Sequence, residues 1–257
     1  MKSLLISIAS LILISACNGN QINNKASDLN KNNDFYFGQG ASYLRYGNGG
    51  FGFRNGNGNQ NSGMMNKGKG MLGQGYSNDY LKTTLDTITI TDLKGTEKDD
   101  LLYMIEEEKM AKDVYVALYD KWKVRSFQNI SQSEQFHVDA VKLLLDRHKI
   151  ENPIDSKAGV FKNSKIQDLY NKLIADGNES LEKALLVGAK IEEVDIKDLS
   201  DRMSENTSED IQVVFDALMS ASENHLRAFV SNYKNFFSKD YSPVFLSSDD
   251  YKKIVSN

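Results

Sequence analysis

The sequence predicts an all-α fold, an up-and-down bundle of four long helices, and three observations predict it. From Thr96 onward apolar residues recur at steps of three and four, the spacing of one helix face. Each of four long stretches with this spacing starts or stops at a capping or breaking residue. Each apolar stripe is interrupted near its middle by acidic or histidine side chains, and an interior tolerates these only when they are paired or metal-bound.

The chain opens with a leader. Met1 and Lys2 supply a positive start, and Leu4 to Ile14 is an apolar run too short to span a bilayer comfortably. Ile14-Ser15-Ala16-Cys17 resembles the bacterial lipobox, in which the cysteine becomes the lipidated first residue. Residues 1–16 are therefore expected to be a lipoprotein signal peptide. Lipid on Cys17 is expected to hold the protein on a membrane of the cell envelope without a spanning helix. Residues 17–95 read as a tether. Thirteen of the 18 glycines lie between Gly38 and Gly75, interleaved with asparagine, and such a stretch has too little apolar surface to offset chain entropy. Within it, Thr83 to Leu93 is rich in Thr and Ile and suggests an extended arm.

The bundle is expected over residues 96–238. The first helix runs from Glu97 to Trp122, with Thr96 as cap and Asp99 in a capping-box position. Its inward face is Leu101, Met104, Glu108, Ala111, Tyr115, Leu118 and Trp122. The second runs from Phe127 to His148, capped by Ser126 and stopped by Pro153, and turns Ile130, Glu134, His137, Val141 and Leu144 inward. A long connection with a short helix near Ser164 to Ala175 follows. The third helix spans Glu179 to Met203 and presents Leu185, Gly188, Glu192, Asp195 and Leu199. The fourth spans Ser208 to Phe237, capped by Thr207, and presents Val214, Leu218, Ser222, His225 and Phe229. A tail, 239–257, is expected to lie along the bundle.

Composition excludes some chemistries. With 31 basic and 35 acidic residues the chain is slightly acidic, so it has no electrostatic case for nucleic acid. One cysteine rules out an intrachain disulfide and a cysteine-based zinc site. The chemistry rests instead on Glu108, Glu134, His137, Glu192, Asp195 and His225. Glu134 and His137 are three residues apart and so point the same way from their helix. Glu-x-x-His on a bundle helix is the pairing that di-iron and di-manganese carboxylate proteins use. Four carboxylates carry the charge that two divalent ions would cancel, and an oxygen-rich set with one histidine per ion suits iron or manganese, with zinc a further candidate. Glu106 and Glu107 are expected on a solvated face, with Glu107 the main rival to Glu108 for the inward position. His148, at a helix C-terminus between Arg147 and Lys149, is expected to answer the helix dipole and not to ligate. Arg227 is expected either to neutralise an interior carboxylate or to face solvent.

Four runs resemble a known family. They are Leu102-Tyr103-Met104-Ile105-Glu106-Glu107-Glu108-Lys109-Met110-Ala111-Lys112-Asp113-Val114-Tyr115, Ser133-Glu134-Gln135-Phe136-His137, Gly188-Ala189-Lys190-Ile191-Glu192-Glu193-Val194-Asp195-Ile196, and Asn224-His225-Leu226-Arg227-Ala228-Phe229. Together, over Asp99 to Phe237, they resemble the ferritin-like family called domain of unknown function 2202. The resemblance implies a ferritin-like four-helix bundle with a long crossover between the second and third helices. In the wider ferritin and rubrerythrin group, a glutamate followed seven residues later by a tyrosine matches Glu108 and Tyr115. Glu-x-x-His matches Glu134 and His137, and the third-helix carboxylates match Glu192 and Asp195. Tyr115 would then hydrogen-bond a ligand. The last helix departs from the pattern, because Ser222 stands where a glutamate precedes the histidine by three. The functional expectation is a membrane-tethered protein holding one or two iron or manganese ions, with oxidase, peroxidase or iron-handling activity. The alternative is a non-catalytic envelope module with a metal-free bundle. The expected partners are metal ions and the membrane, and a homodimer is admissible.

Overall fold

The computed structural model describes residues 77–203 and 207–256, and the leader, Cys17 and most of the tether lie outside them. Among the described residues there are seven helices and no strands: α1 Asn78–Leu85, α2 Glu97–Trp122, α3 Arg125–Arg147, α4 Ser164–Gly177, α5 Leu181–Arg202, α6 Glu209–Phe237 and α7 Ser248–Val255. The described residues form an all-helical bundle.

Residue pairs fix the direction of each long helix. Tyr115 packs on Phe127 and Glu108 meets His137, so α2 and α3 run antiparallel. Gly188 abuts Phe229 and Asp195 bonds Ser222, so α5 and α6 do too. Tyr115 with Glu192 and Asp100 with Arg202 set α2 against α5. Ser133 with His225 and Arg147 with Asp210 set α3 against α6. It follows that α3 and α5 are parallel. The connection between them must therefore carry the chain back along the bundle, and α4, within it, packs on α2 and α5.

Two apolar clusters fill the interior. One gathers Tyr115, Phe127 and Phe229 with Leu118, Leu185 and Leu226, and the other gathers Leu101, Met104, Val141, Leu144, Val214 and Phe215. On every long helix the polar residues singled out above fall between the two. Gly188 permits the α5–α6 approach, because a Cβ there would come 2.5 Å from the Phe229 ring.

Helix ends depart from the sequence reading. Thr96 makes no side-chain cap bond. The buried Glu97 carboxylate instead accepts from the backbone N–H groups of Lys94 and Ser208, at 2.6 and 2.7 Å. Ser126 lies inside α3, which begins at Arg125 with Val124 as its N-cap. Ser208, not Thr207, precedes α6 as its N-cap. Ser180 caps α5 by accepting from the Lys183 N–H. The extended arm expected from Thr83 to Leu93 is also corrected. Its first three residues end α1, whose Leu81 and Leu85 are buried in the second cluster, so this part of the tether is held by apolar burial.

The tail does lie on the bundle. Buried Glu193 accepts from the Tyr241 hydroxyl and from the N–H groups of Val244, Phe245 and Leu246, while Ile254 of α7 is buried. Arg227 donates to the Ile254 carbonyl and to Asn224, so its charge serves the tail and not the interior.

Candidate metal centre

The polar layer is built by helical spacing. Glu134 and His137 leave α3 on one side, Glu192 and Asp195 leave α5 in the same way, and Glu108 and His225 come from α2 and α6. All six are buried. Glu134, His137 and His225 bring one ligand atom each to within 4.8 Å of one another. His137 Nδ1 is 2.8 Å from Glu134 Oε2 and 3.1 Å from Glu108 Oε2. His225 Nδ1 is 2.9 Å from Glu134 Oε1 and 3.4 Å from Glu192 Oε2, at angles that complete no hydrogen bond. Asp195 stands off from this trio. Its Oδ2 accepts from the Ser222 hydroxyl at 2.5 Å, so Ser222 of α6 serves as a donor to the carboxylate across from it.

Two further groups orient these side chains. The Tyr115 hydroxyl donates to Glu192 Oε1 at 2.5 Å. Ser133 Oγ lies 2.9 Å from His225 Nε2, which leaves Nδ1 turned toward the carboxylates. Ser133 had no signal of its own in the sequence, since a serine beside a ligand has no characteristic spacing.

Burial and charge pull against each other here. Burial pushes Glu108 up to about 7, although His137 beside it pulls the other way. Burial also works to raise Glu134, but the two histidines outweigh it and hold this carboxyl well below the usual range. Burial lowers and Glu134 and Glu192 raise His225, with a net shift to about 9. His137 follows the same pattern, with Glu134 and Glu108 raising it well above its ordinary value. Burial raises Glu192 and, strongly, Asp195.

The residues fit a metal ion. Glu108 Oε1, Glu134 Oε1, His137 Nε2 and Asp195 Oδ1 are buried without a hydrogen-bond partner, and orphaned polar atoms of this kind call for a ligand or an ion. Two imidazolium groups can balance at most two of the four carboxylates. An oxygen-rich set with two imidazoles is a donor set for iron, manganese or zinc.

Glu106 and Glu107 correct the expectation of a solvated face, since both are buried. Helix α2 is covered by α3, α4 and α5, so it has little wet side to offer. Glu106 accepts from the Lys162 and Asn163 N–H groups at 2.6 and 2.9 Å and so pins the start of α4. His148 Nε2 lies 2.8 Å from Asp210, far from the layer, at the C-cap of α3.

A buried carboxylate–histidine layer inside an all-helical bundle is the class these residues define. Within that class the chain belongs to the family described as an uncharacterized protein domain (DUF2202), which residues 97–257 match. The stretch 239–257, set apart above as a tail, is included in the match. The chain is 46% identical over 162 residues to the uncharacterized protein MJ0754 of Methanocaldococcus jannaschii, covering 63% of this chain and 87% of that protein. Its structure is similar to the crystal structure of hypothetical protein MJ0754 from Methanococcus jannaschii, with a TM-score of 0.63 and 42% identity. That likeness covers 66% of this chain and 98% of the other.

Proposed function

We propose that this protein is a ferritin-like metal-binding protein that holds one or two iron or manganese ions in its polar layer and handles iron or reacts with oxygen or peroxide. The observation that carries this reading is the convergence of Glu134, His137 and His225, all buried, between two apolar clusters. The parallel α3 and α5 with a long return connection support the ferritin-like arrangement. Glu108, Glu134, His137, Glu192 and His225 would hold the ion, with Asp195 beside them, Tyr115 fixing Glu192 and Ser133 fixing His225. A bound ion of this kind supplies Lewis acidity and redox capacity that side chains lack. The apolar clusters on both sides keep bulk water away and strengthen every charge interaction in the layer. Lipid on Cys17 would place this chemistry at the envelope membrane.

Metal analysis of the full chain tests the reading. Iron or manganese in stoichiometric amount is expected, and Glu134→Ala and His137→Ala should lose it. A folded protein that stays metal-free after anaerobic reconstitution with ferrous iron sinks it. Incorporation of labelled fatty acid, lost in Cys17→Ala, tests the anchor.

One observation favours a second reading, a metal-free structural layer. Each histidine already has a carboxylate within 2.9 Å, and His225 is also bonded to Ser133. Under that reading reconstitution leaves both stoichiometry and stability unchanged.

A further inference from the structure

We propose that Glu107, Asp195 and Asp198 form a second, all-oxygen site for a divalent cation, on the α2/α5 side of the carboxylate–histidine layer. Asp195 is shared with the set described above, so the inference rests on that reading at this one residue.

The register of α2 and α5 brings the three together. Tyr115 meets Glu192 at one end and Asp100 meets Arg202 at the other, which sets Glu107 opposite Asp195 and Asp198. Glu107 is 2% exposed, and neither of its carboxylate oxygens has a hydrogen-bond partner. Asp195 Oδ1 and Asp198 Oδ2 are likewise buried without a hydrogen bond: Ser222 takes only the other oxygen of Asp195, and Arg202 stands 3.6 Å from Asp198 Oδ2. Four buried oxygens thus have no hydrogen bond. The Tyr103 hydroxyl neighbours both Glu107 and Asp198.

The positive charge nearby, Arg202, is shared between Asp100 and the edge of this cluster. Arg202 donates to Asp100 at 2.7 Å and stacks 4.1 Å from the Tyr103 ring centre, reaching Asp198 at only 3.6 Å. A cation among Glu107, Asp195 and Asp198 would offset the repulsion of three carboxylates.

A cleft between α2, α4 and α5 leads to Glu107. Leu173 and Ile191 wall it, Phe245 of the tail lines it, and Asp176 and Lys190 bring charge to it. Such a route is what an interior ion site needs for filling. Among the described residues only Glu134, His137 and His225 already bring three ligand atoms within 4.8 Å. The three carboxylates stand further apart and would draw together on an ion. Carboxylate oxygens alone select hard ions such as manganous, magnesium or calcium.

Manganous ion is the probe, with the full chain titrated by calorimetry and paramagnetic resonance. Wild type should take up two ions. Glu107→Gln and Asp198→Asn, each nearly isosteric, should lose one ion or bind it at least about tenfold more weakly. His137→Ala should lose the other. Circular dichroism confirms the fold of each variant, and the two carboxylate variants serve as checks on each other. The inference is overturned if both carboxylate variants keep wild-type stoichiometry and affinity, if wild type binds no manganous ion, or if it binds one ion lost only in His137→Ala. A single ion lost in the carboxylate variants but kept in His137→Ala supports the second site and counts against the histidine-centred reading.

Discussion

The rings of His137 and His225 lie 5.4 Å apart and within 23° of parallel, and each turns its Nδ1 toward a different oxygen of Glu134. One carboxylate from α3 therefore addresses both imidazoles, the second of which comes from α6. In the metal-free protein this should be visible in solution. His225 is expected to titrate near 9, and Glu134→Gln should move both histidines down toward the ordinary value. Proton NMR of the ring resonances measures this, and an unmoved His225 would refute the pairing.

Stability of the metal-free chain should fall as pH rises from about 5 to 9. His225 is raised from 6.5 to about 9, so the stability it contributes is complete below 6.5 and is lost as pH rises through 9. Glu108 is raised from 4.5 to about 7, chiefly by burial, so the folded chain again binds more protons than the unfolded one and loses stability as pH rises through 7. Both groups act in the same direction. Urea denaturation with a chelator present, at pH 5.5 and pH 9, gives the comparison. Greater stability at pH 9 would contradict it.

Metal binding should reverse that slope. Ligating carboxylates must lose their protons, and burial keeps Glu108, Glu192 and Asp195 protonated to higher pH than usual. The histidines must also be neutral, and His225 titrates near 9, so binding should release protons and affinity should weaken as pH falls below about 9. Calorimetry in buffers of different ionisation enthalpy counts the protons released.

Gly188→Ala should destabilise the bundle by about 1–3 kcal/mol, as overpacking does. Its new methyl would press on the Phe229 ring, which is itself packed between Tyr115 and Phe127 and has little room to retreat. Denaturant unfolding reads the change, and an effect below about 0.5 kcal/mol would show that α5 and α6 can part freely.

Glu193→Gln should release the tail while leaving the bundle folded. This carboxylate collects the Tyr241 hydroxyl and three backbone N–H groups from Val244 to Leu246, and bonds to a charged acceptor are among the stronger ones. Amide exchange at Val244, Phe245 and Leu246 should quicken, with the α3 amides unchanged.

The sequence by itself determined the long helices and the level of the polar layer. Helical period carries Glu134 to the side of His137 and Glu192 to the side of Asp195 whatever the rest of the chain does, and Gly177 marks where α4 stops, while α3 ends at Arg147, well before Pro153. The tertiary structure decided where each consecutive glutamate goes. Glu106, Glu107 and Glu108 leave α2 about 100° apart, so period alone makes one of them face inward and the others outward. That inference holds only for a helix with a wet side. Because α4 closes over α2 and α5, Glu106 pins the crossover, Glu107 enters the α2/α5 seam and Glu108 reaches His137. The partners of Ser222, Ser133 and Glu193 lie on other helices or in the tail, at separations no local pattern encodes. Only packing could assign them, since what decides a buried polar group is the one neighbour left to satisfy it.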